Sequence, residues 1–295
     1  MSAKPSNIGH SIGRCGYDSP LPVCLLGPVC AIAARCKRLS SVVAALLMLL
    51  NGCGSGNNRV LEEVSEKAYT VEPSANITIH NRDGAVLVYG SDVNEVRVRS
   101  LKKAYSHERL SRIVIDVSAK PGAVSITAKA PPQPKWAFSD HSGTVDCTVV
   151  VPATASISAL DLNAGEILLD SIRGAVHARL NDGRIFARNC FTNMDLTVNR
   201  GTLALSYEWW QKENFSAQAT MFQGNAWVWL PSEAAFHLLA RAAHGKIAND
   251  FNNVPVTAHS SGGEMKIDQI VNGGGSATIN VRVEKGDIKI AEANP

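Results

Sequence analysis

The residues that could do chemistry are present in this sequence, but they do not stand in the spacings that catalysis needs. Of the eight histidines, His80, His107, His141 and His259 fall in separate segments that share no spacing. The sequence contains none of the short runs that mark zinc metalloproteases, serine hydrolases, P-loop NTPases or dithiol redox enzymes. The run Ser139–Gly143 sets Asp, His and Ser side by side, whereas a catalytic triad assembles residues from separate parts of a fold. We therefore predict a protein that is not an enzyme, with no catalytic residue, no bound metal and no cofactor.

Tryptophan is the other residue type that could carry a function. Trp209, Trp210, Trp227 and Trp229 fall in two neighbouring segments of the chain. Indole rings stack on sugars and on partner surfaces, and exposed apolar clusters often mark binding sites. The sequence therefore predicts that the four rings form one cluster that binds an envelope protein or a glycan. Two alternatives stay open: another part of the protein covers this face, or a shift in strand register turns the rings into the core.

A short sequence pattern, which we call the phrase, recurs along the chain and predicts the β-strands that would position these residues. In LDLNAGEILLD, ARLNDGRIFAR and LTVNRGTLALS, alternating apolar residues stand before and after Asn-x-Gly. The glycines that anchor the phrases are Gly165, Gly183, Gly201, Gly224, Gly245, Gly263 and Gly286. Alternation is typical of β-strands, and stacked copies bury an apolar face that one copy cannot bury alone. We predict an all-β protein built as a β-solenoid, a series of strand repeats like a single-stranded β-helix, with a β-sandwich as the alternative.

The stacking predicts the positions of two sets of side chains. The apolar residues that flank the glycines should be buried, namely Leu162, Ile167, Leu180, Ile185, Val198, Leu203, Val283 and Ile288. Asn163, Asn181 and Asn199 each precede their glycine by the same offset, so a stack would lay them over one another as an amide ladder. We assign this ladder a structural role at a turn, and keep ligands for a metal or a sugar as the alternative.

The first part of the sequence has the character of an export signal. Basic residues precede the apolar run Val42–Leu50, which is much shorter than the roughly 20 residues of a membrane-spanning helix. The break that follows, Leu50–Cys53, reads LNGC and resembles the lipobox of bacterial lipoproteins. This resemblance implies a leader over 1–53, lipidation of Cys53 and a flexible tether over 54–68. It also implies a protein held by that lipid at a membrane of the bacterial cell envelope, in the periplasm or at the outer membrane.

Charge and cysteine content narrow the choice of partners. Five of the 29 basic residues and one of the 26 acidic residues lie in 1–53, which leaves 24 basic and 25 acidic residues beyond it. A nearly neutral chain lacks the basic footprint of a nucleic-acid-binding protein. Beyond the leader only Cys147 and Cys190 remain, and both a disulfide and two buried thiols are consistent with the sequence.

The chain beyond the tether divides at a proline-rich stretch. Residues 69–130 carry several short strand patterns and are predicted to form an N-terminal β-strand subdomain. Residues 131–144 begin with PPQPK and are predicted to form a loop or linker. Residues 145–292 carry the repeats and are predicted to form the solenoid.

The start of the N-terminal part resembles a bacterial family of unknown function known as "putative adhesin" proteins, which consist of β-strand repeats. The matching positions are Tyr69, Val71, Pro73, Asn81, Gly84, Gly90, Asp92, Val96, Val98, Lys102 and Lys103. The resemblance implies an exported, envelope-associated protein with no established catalytic residues. We predict a non-enzymatic envelope lipoprotein for adhesion, scaffolding or partner binding. The alternatives are a carbohydrate-active enzyme, of the polysaccharide lyase or hydrolase type, and a sensory or regulatory partner domain.

Overall fold

The computed structural model describes residues 59–131, 142–251 and 263–293, which form strands almost throughout. The elements are β1 (Leu61–Thr70), β2 (Asn76–Ser91), β3 (Glu95–Ala104), α1 (His107–Ser111), β4 (Val114–Lys120), β5 (Ala123–Lys129), β6 (Thr144–Pro152), β7 (Ser156–Asp170), β8 (Val176–Arg188), β9 (Met194–Ser206), β10 (Ser216–Leu230), β11 (Phe236–His244), β12 (Ile247–Asn249), β13 (Met265–Val271), β14 (Thr278–Lys285) and β15 (Ile288–Glu292). The strands join into one mixed sheet, so the prediction of an all-β protein is confirmed. Within these ranges no helix is both long enough and apolar enough to cross a bilayer.

A copy of the repeated phrase forms one strand, which we call a rung, in a stack of neighbouring parallel strands. Strands β2, β7, β8, β9 and β10 follow one another in the sheet, and each pairs with the next over nearly its whole length. The strands pair so that equivalent residues of successive phrases are neighbours: Gly165 pairs with Gly183, and Gly183 pairs with Gly201. The spacing of the phrases in the sequence therefore predicts which residues pair in the sheet.

Each long strand changes direction at its glycine. In an uninterrupted strand, side chains five residues apart point to opposite faces, yet Leu180 and Ile185 of β8 are both buried. The change of alternation falls at Gly183, whose φ of 133° lies in a region that favours glycine. Both halves of the strand consequently line one hydrophobic core. All eight apolar residues that were expected to be buried are buried, so this prediction is confirmed.

The anchor glycines lie directly over one another. From one end of the column to the other they are Gly84, Gly165, Gly183, Gly201, Gly224, Gly286 and Gly245. A Cβ atom on Gly183 would overlap the carbonyl oxygen of Gly165, and the same relation recurs at the next step of the column. The turn and the close approach of neighbouring rungs thus both require glycine.

The order of the last rungs differs from the order of the sequence. Strands β14 and β15 lie between β10 and the pair β11 and β12, so Gly286 precedes Gly245 in the column. The copy around Gly286 buries Val281, Val283, Ile288 and Ile290, whereas β11 has alanines at two of these positions and β12 has only three residues. The more apolar copy occupies the interior position, and the weaker copy lies beyond it.

Gly263 is not an anchor, which corrects the count made from the sequence. A Cβ atom on Gly263 would meet nothing within 4 Å, so no rung lies against it. The strand that follows, β13, pairs antiparallel with β11 and cannot be another parallel copy. The apolar alternation after this glycine belongs to an ordinary antiparallel strand.

The beginning of the described chain also differs from two predictions. Residues Leu61–Thr70 form β1 and pair antiparallel with β3, so the tether predicted over 54–68 is wrong from Leu61 onward. The pairing is supported by an ion pair of 2.8 Å between Lys102 Nζ and Glu63 Oε1. Residues 69–130 do not form a separate subdomain either, because β2 pairs with β7 along the stack and all described residues belong to one compact unit.

Candidate ligand-binding trough

The four tryptophans divide into two pairs instead of forming one cluster. Trp227 and Trp229 lie on β10, with ring centroids 5.5 Å apart. Trp209 and Trp210 lie in the connection between β9 and β10, and both contact Phe191. No ring contact joins the two pairs in the described ranges, so the prediction of a single cluster is wrong.

The connection that carries Trp209 and Trp210 is fixed to the core by its own aromatic residues. It spans 207–215, whereas the connections 171–175 and 189–193 of the preceding rungs are shorter. Tyr207 and Phe215, near its two ends, are fully buried. This insertion is the physical origin of the longer step from Gly201 to Gly224 in the sequence.

Trp210 points inward from this connection. Its ring lies 5.7 Å from Tyr207, 5.8 Å from Phe215 and 5.7 Å from Phe236, and it is half-buried against the core. Its indole Nε1 is buried without a hydrogen-bond acceptor. Trp210 is therefore a packing residue, and it does not present a ring to a ligand.

Trp209 points the other way and is 45% exposed. One side of its indole packs near Phe191, with centroids 6.1 Å apart, and Phe191 itself is buried. A buried ring behind an exposed one restricts the motion of the exposed ring, because close-packed side chains hold few rotamers. Trp209 is thus a supported aromatic surface.

Trp209 stands beside a concave surface of about 610 Å³, which we call the turn trough. The turn trough follows the ends of successive rungs, and it is lined by the connections after β2, β6, β7, β8 and β9. Its polar lining residues include Asp92, Asn94, Arg173, Asn189 and Gln211. The volume falls in the range of small-molecule and short-oligomer sites, about 300–1,000 Å³.

Several polar side chains of the turn trough have no partner in the part of the chain that the structure describes. Asp92, Asn94 and Arg173 are exposed, and their side chains make no ion pair or hydrogen bond to any residue that the structure describes. Asn189 differs, because its Oδ1 accepts a hydrogen bond of 2.9 Å from the backbone N–H of Glu208. This bond, together with a φ of 52°, fixes Asn189 as part of the floor. Free donors and acceptors above a fixed floor are what a polar ligand requires.

The asparagine ladder has the opposite character. Asn199 Nδ2 donates to Asn181 Oδ1 at 2.8 Å, and Asn181 Nδ2 donates to Asn163 Oδ1 at 3.3 Å. The ladder continues to the carboxylate of Asp83 at 3.4 Å. The amides are therefore bonded to one another, which stabilises the stack. A shallow groove of about 540 Å³ runs beside them, but His80 and Asp161, whose Nδ1 and Oδ2 atoms lie 3.0 Å apart, occupy part of its wall.

Trp227 and Trp229 lie on the outer face of β10, and Phe186 of β8 lies on the same face of the sheet. Phe186 meets Trp229 edge to face at 6.4 Å, and Trp227 is 40% exposed. Ala204 lies beneath them and is buried. On the neighbouring strand β15, the exposed Lys289 pairs with Trp227, and neither Trp227 nor Trp229 lines the turn trough.

The remaining candidate residues take no part in this site. Cys147 and Cys190 are free thiols, and burial raises the pKa of each to about 12, which keeps them protonated and unreactive at neutral pH. The predicted lipidation residue Cys53 lies outside the described residues, as do His141 and His259. Among the residues that the structure describes, no group of three His, Cys, Asp or Glu side chains could hold a metal ion.

The sequence indicated one residue of the turn trough, Trp209, and missed the others. Pro73, Gly90 and Asp92 belong to the family resemblance, and Asn94, Arg173 and Gln211 fall in turns with no repeated pattern. The signal in the sequence is the difference in length between connections, since 207–215 is longer than 171–175 and 189–193 and carries Trp209.

Comparison with known proteins gives only distant structural similarity. No family model and no curated protein matches the chain. A crystal structure described as a "putative cell adhesion protein" from Clostridium sporogenes covers 78% of this chain and 100% of its own, with 15% identity and a TM-score of 0.45. Two "putative adhesin" structures, from Bacteroides fragilis and Parabacteroides distasonis, each cover 78% of this chain and 97% of their own. Their identities are 10% and 11%, and their TM-scores are 0.28 and 0.22.

Proposed function

We propose that this protein is a non-enzymatic, adhesin-like binding protein of the bacterial cell envelope, and that the turn trough is its ligand site. The observation that carries the proposal is the exposed, supported indole of Trp209 beside side chains that have no partner among the described residues. Most polar side chains on the rungs are engaged with neighbouring rungs, as in the ion pair of 2.7 Å between Arg200 and Asp182. The turn trough concentrates free polar groups around an aromatic ring, which is typical of a recognition site.

The parallel stack supports the display function of the proposal. Five long strands in register, each turning at a glycine, form the kind of rigid repeat that we propose to be a β-solenoid. In such a stack every rung contacts only its neighbours, and connections can vary in length without disturbing the core. The connection 207–215 shows how this works, because it projects Trp209 while Tyr207 and Phe215 remain buried.

Membrane attachment through Cys53 is part of the proposal. It is supported by the lipobox-like run Leu50–Cys53 after a short apolar segment. Replacing Cys53 with Ala should move the protein from the membrane fraction to the soluble fraction and block processing before Cys53. A Cys53→Ala protein that stays in the membrane fraction would contradict the anchor but not the trough.

The binding function is tested by probing a glycan array and a pull-down from bacterial envelope extract with the same protein. Trp209→Ala is the test variant, and Trp227→Ala is the matched control, because both rings are similarly exposed. We expect Trp209→Ala to remove the captured ligand and Trp227→Ala to retain it. If neither assay captures a ligand, or if Trp209→Ala captures as well as wild type, the proposed site is wrong.

A further inference from the structure

We infer that the turn trough binds an internal stretch of a linear, uncharged glycan that lies across the ends of the rungs. This inference rests on the proposed function, because it names the ligand class of the same site. Three features of the trough point to this ligand: its length, the positions of its free polar groups, and the hydrogen bonds that its backbone groups already make.

The turn trough is elongated because its lining comes from successive rungs. Backbone hydrogen bonds join the neighbouring connections: Arg173 N–H donates to Ala153 O at 2.7 Å, Ser171 N–H to Arg188 O at 3.0 Å and Asn189 N–H to Ser206 O at 2.8 Å. Neighbouring rungs of a sheet are separated by about 4.8 Å. The three steps from β2 to β9 therefore span about 14 Å, which exceeds the size of a single sugar ring.

The free groups are distributed over this whole length. Asp92 and Asn94 follow β2 at one end, Arg173 follows β7 between the ends, and Trp209 and Gln211 follow β9 at the other end. A monosaccharide stacked on Trp209 cannot also reach Asn94. A chain of several sugar units can contact both, with one ring on the indole and hydroxyl groups at the amides, the carboxylate and the guanidinium.

The chemistry of the lining favours an uncharged polyhydroxylated ligand. Among the described residues that line the trough, Arg173 and Asp92 are the charged ones and have opposite sign, so this lining carries no net charge for an acidic or a basic polymer. Amides, a carboxylate and a guanidinium supply donors and acceptors together, which hydroxyl groups satisfy because each can do both. The indole face of Trp209 fits the apolar face of a sugar ring.

A peptide is a poorer fit for two reasons. Extended peptides bind by adding a strand to a free sheet edge, whereas backbone groups of the trough are already bonded between neighbouring turns, as in Arg173 to Ala153. Peptide and protein partners also need buried apolar anchor pockets. Trp209 is the only large exposed apolar side chain among the residues that line the turn trough.

The test is a length series, measured by titration calorimetry on the full-length protein. The probes are cello-oligosaccharides and chito-oligosaccharides from the monosaccharide to the hexasaccharide. We expect affinity to rise from the monosaccharide to at least the trisaccharide and then to level off. Trp209→Ala should weaken the binding of every length by about tenfold or more, whereas Asn94→Ala should weaken only the longer members. Asn181→Ala, on the ladder, is the matched asparagine control and should change none of them.

The outcomes separate this inference from the proposed function. A monosaccharide that binds as tightly as the hexasaccharide overturns the elongated site and leaves a local site at Trp209. If no member of either series binds while a protein is captured through Trp209, the glycan inference is wrong and the proposed binding function stands. If nothing is captured through Trp209, both are wrong.

Discussion

The two pairs of tryptophans show how a strand and a loop differ in the directions they give to side chains that are close in sequence. On β10, Trp227 and Trp229 are separated by one residue, so strand alternation turns both to the outer face. In the connection 207–215, Trp209 and Trp210 are adjacent, and they diverge: one is exposed beside the turn trough and the other packs against the core. The same residue type therefore places two rings on one face of a strand, and in the loop it places one ring outward and one ring inward.

From this difference we predict that stability and the proposed ligand binding depend on adjacent residues in the loop, and that the proposed binding does not depend on the outer face of β10. Trp210 fixes the connection, and the fixed connection presents Trp209 with Phe191 behind it. On the strand, the ladder to the neighbouring rungs fixes the backbone whatever the outer side chains are. Substitutions should consequently have large and specific effects in the loop and a moderate effect, on stability alone, on the outer face of β10.

The largest effect is expected at Trp210. Trp210→Ala should lower the free energy of unfolding by about 3–5 kcal/mol, because it removes a large ring from contact with Tyr207, Phe215 and Phe236. Denaturant unfolding measures this. Trp210→Phe is the control and should cost much less, since it keeps an aromatic ring and removes the buried Nε1–H that lacks an acceptor. Equal losses for the two variants would show that packing does not hold the connection.

At Trp209 the expected effect is on binding. Trp209→Ala should weaken ligand binding by about tenfold or more, which corresponds to about 1.4 kcal/mol, while the free energy of unfolding falls by about 1 kcal/mol, well below the loss at Trp210. The reason is that nearly half of this side chain faces solvent in the unliganded protein. Binding and unfolding should be measured on the same preparation. A large loss of stability would assign Trp209 to the core and remove the contrast with Trp210.

The sequence predicts the strand region well because the physics there is periodic. In β8, Leu180 and Ile185 on either side of Gly183 specify the buried face, the turn and the register with the next rung. The same reasoning fails for β14, which lies between β10 and β11 although it comes later in the chain. The local sequence pattern identifies a strand as a rung. Its place in the sheet depends instead on which copy of the repeat is apolar enough to occupy an interior position.

The turn trough was predictable only through its aromatic residue. Asp92 and Arg173 are far apart in sequence and become neighbours of one surface only because rungs stack. Turn residues follow no period, and an exposed polar residue in a turn is ordinary in any protein. The sequence could therefore point to Trp209, but it could not show which polar groups remain without partners around it.

On the outer face of β10 a moderate effect is expected. Replacing Trp227 and Trp229 together with Ala should lower the free energy of unfolding by about 1 kcal/mol, the typical contribution of an edge-to-face aromatic pair beyond its buried area. Ligand binding should be unchanged, because neither ring lines the turn trough. Thermal unfolding and the binding assay used for Trp209 measure both. Loss of binding in this double variant would move the ligand site to the strand face.

The smallest effects are expected for two asparagines, one hydrogen-bonded within the protein and one beside the turn trough. Asn181 and Asn94 are both exposed asparagines, but the amide of Asn181 bonds to Asn163 and Asn199, whereas that of Asn94 has no partner in the described chain. Asn181→Ala should lower the free energy of unfolding by about 0.5–1 kcal/mol without affecting ligand binding, since exposed hydrogen bonds contribute modestly. Asn94→Ala should leave the free energy of unfolding unchanged and weaken the binding of long ligands. Chemical denaturation and calorimetry on the two variants give four values. If Asn94→Ala lowers stability, or if Asn181→Ala lowers affinity, the distinction between bonded and free amides does not identify the site.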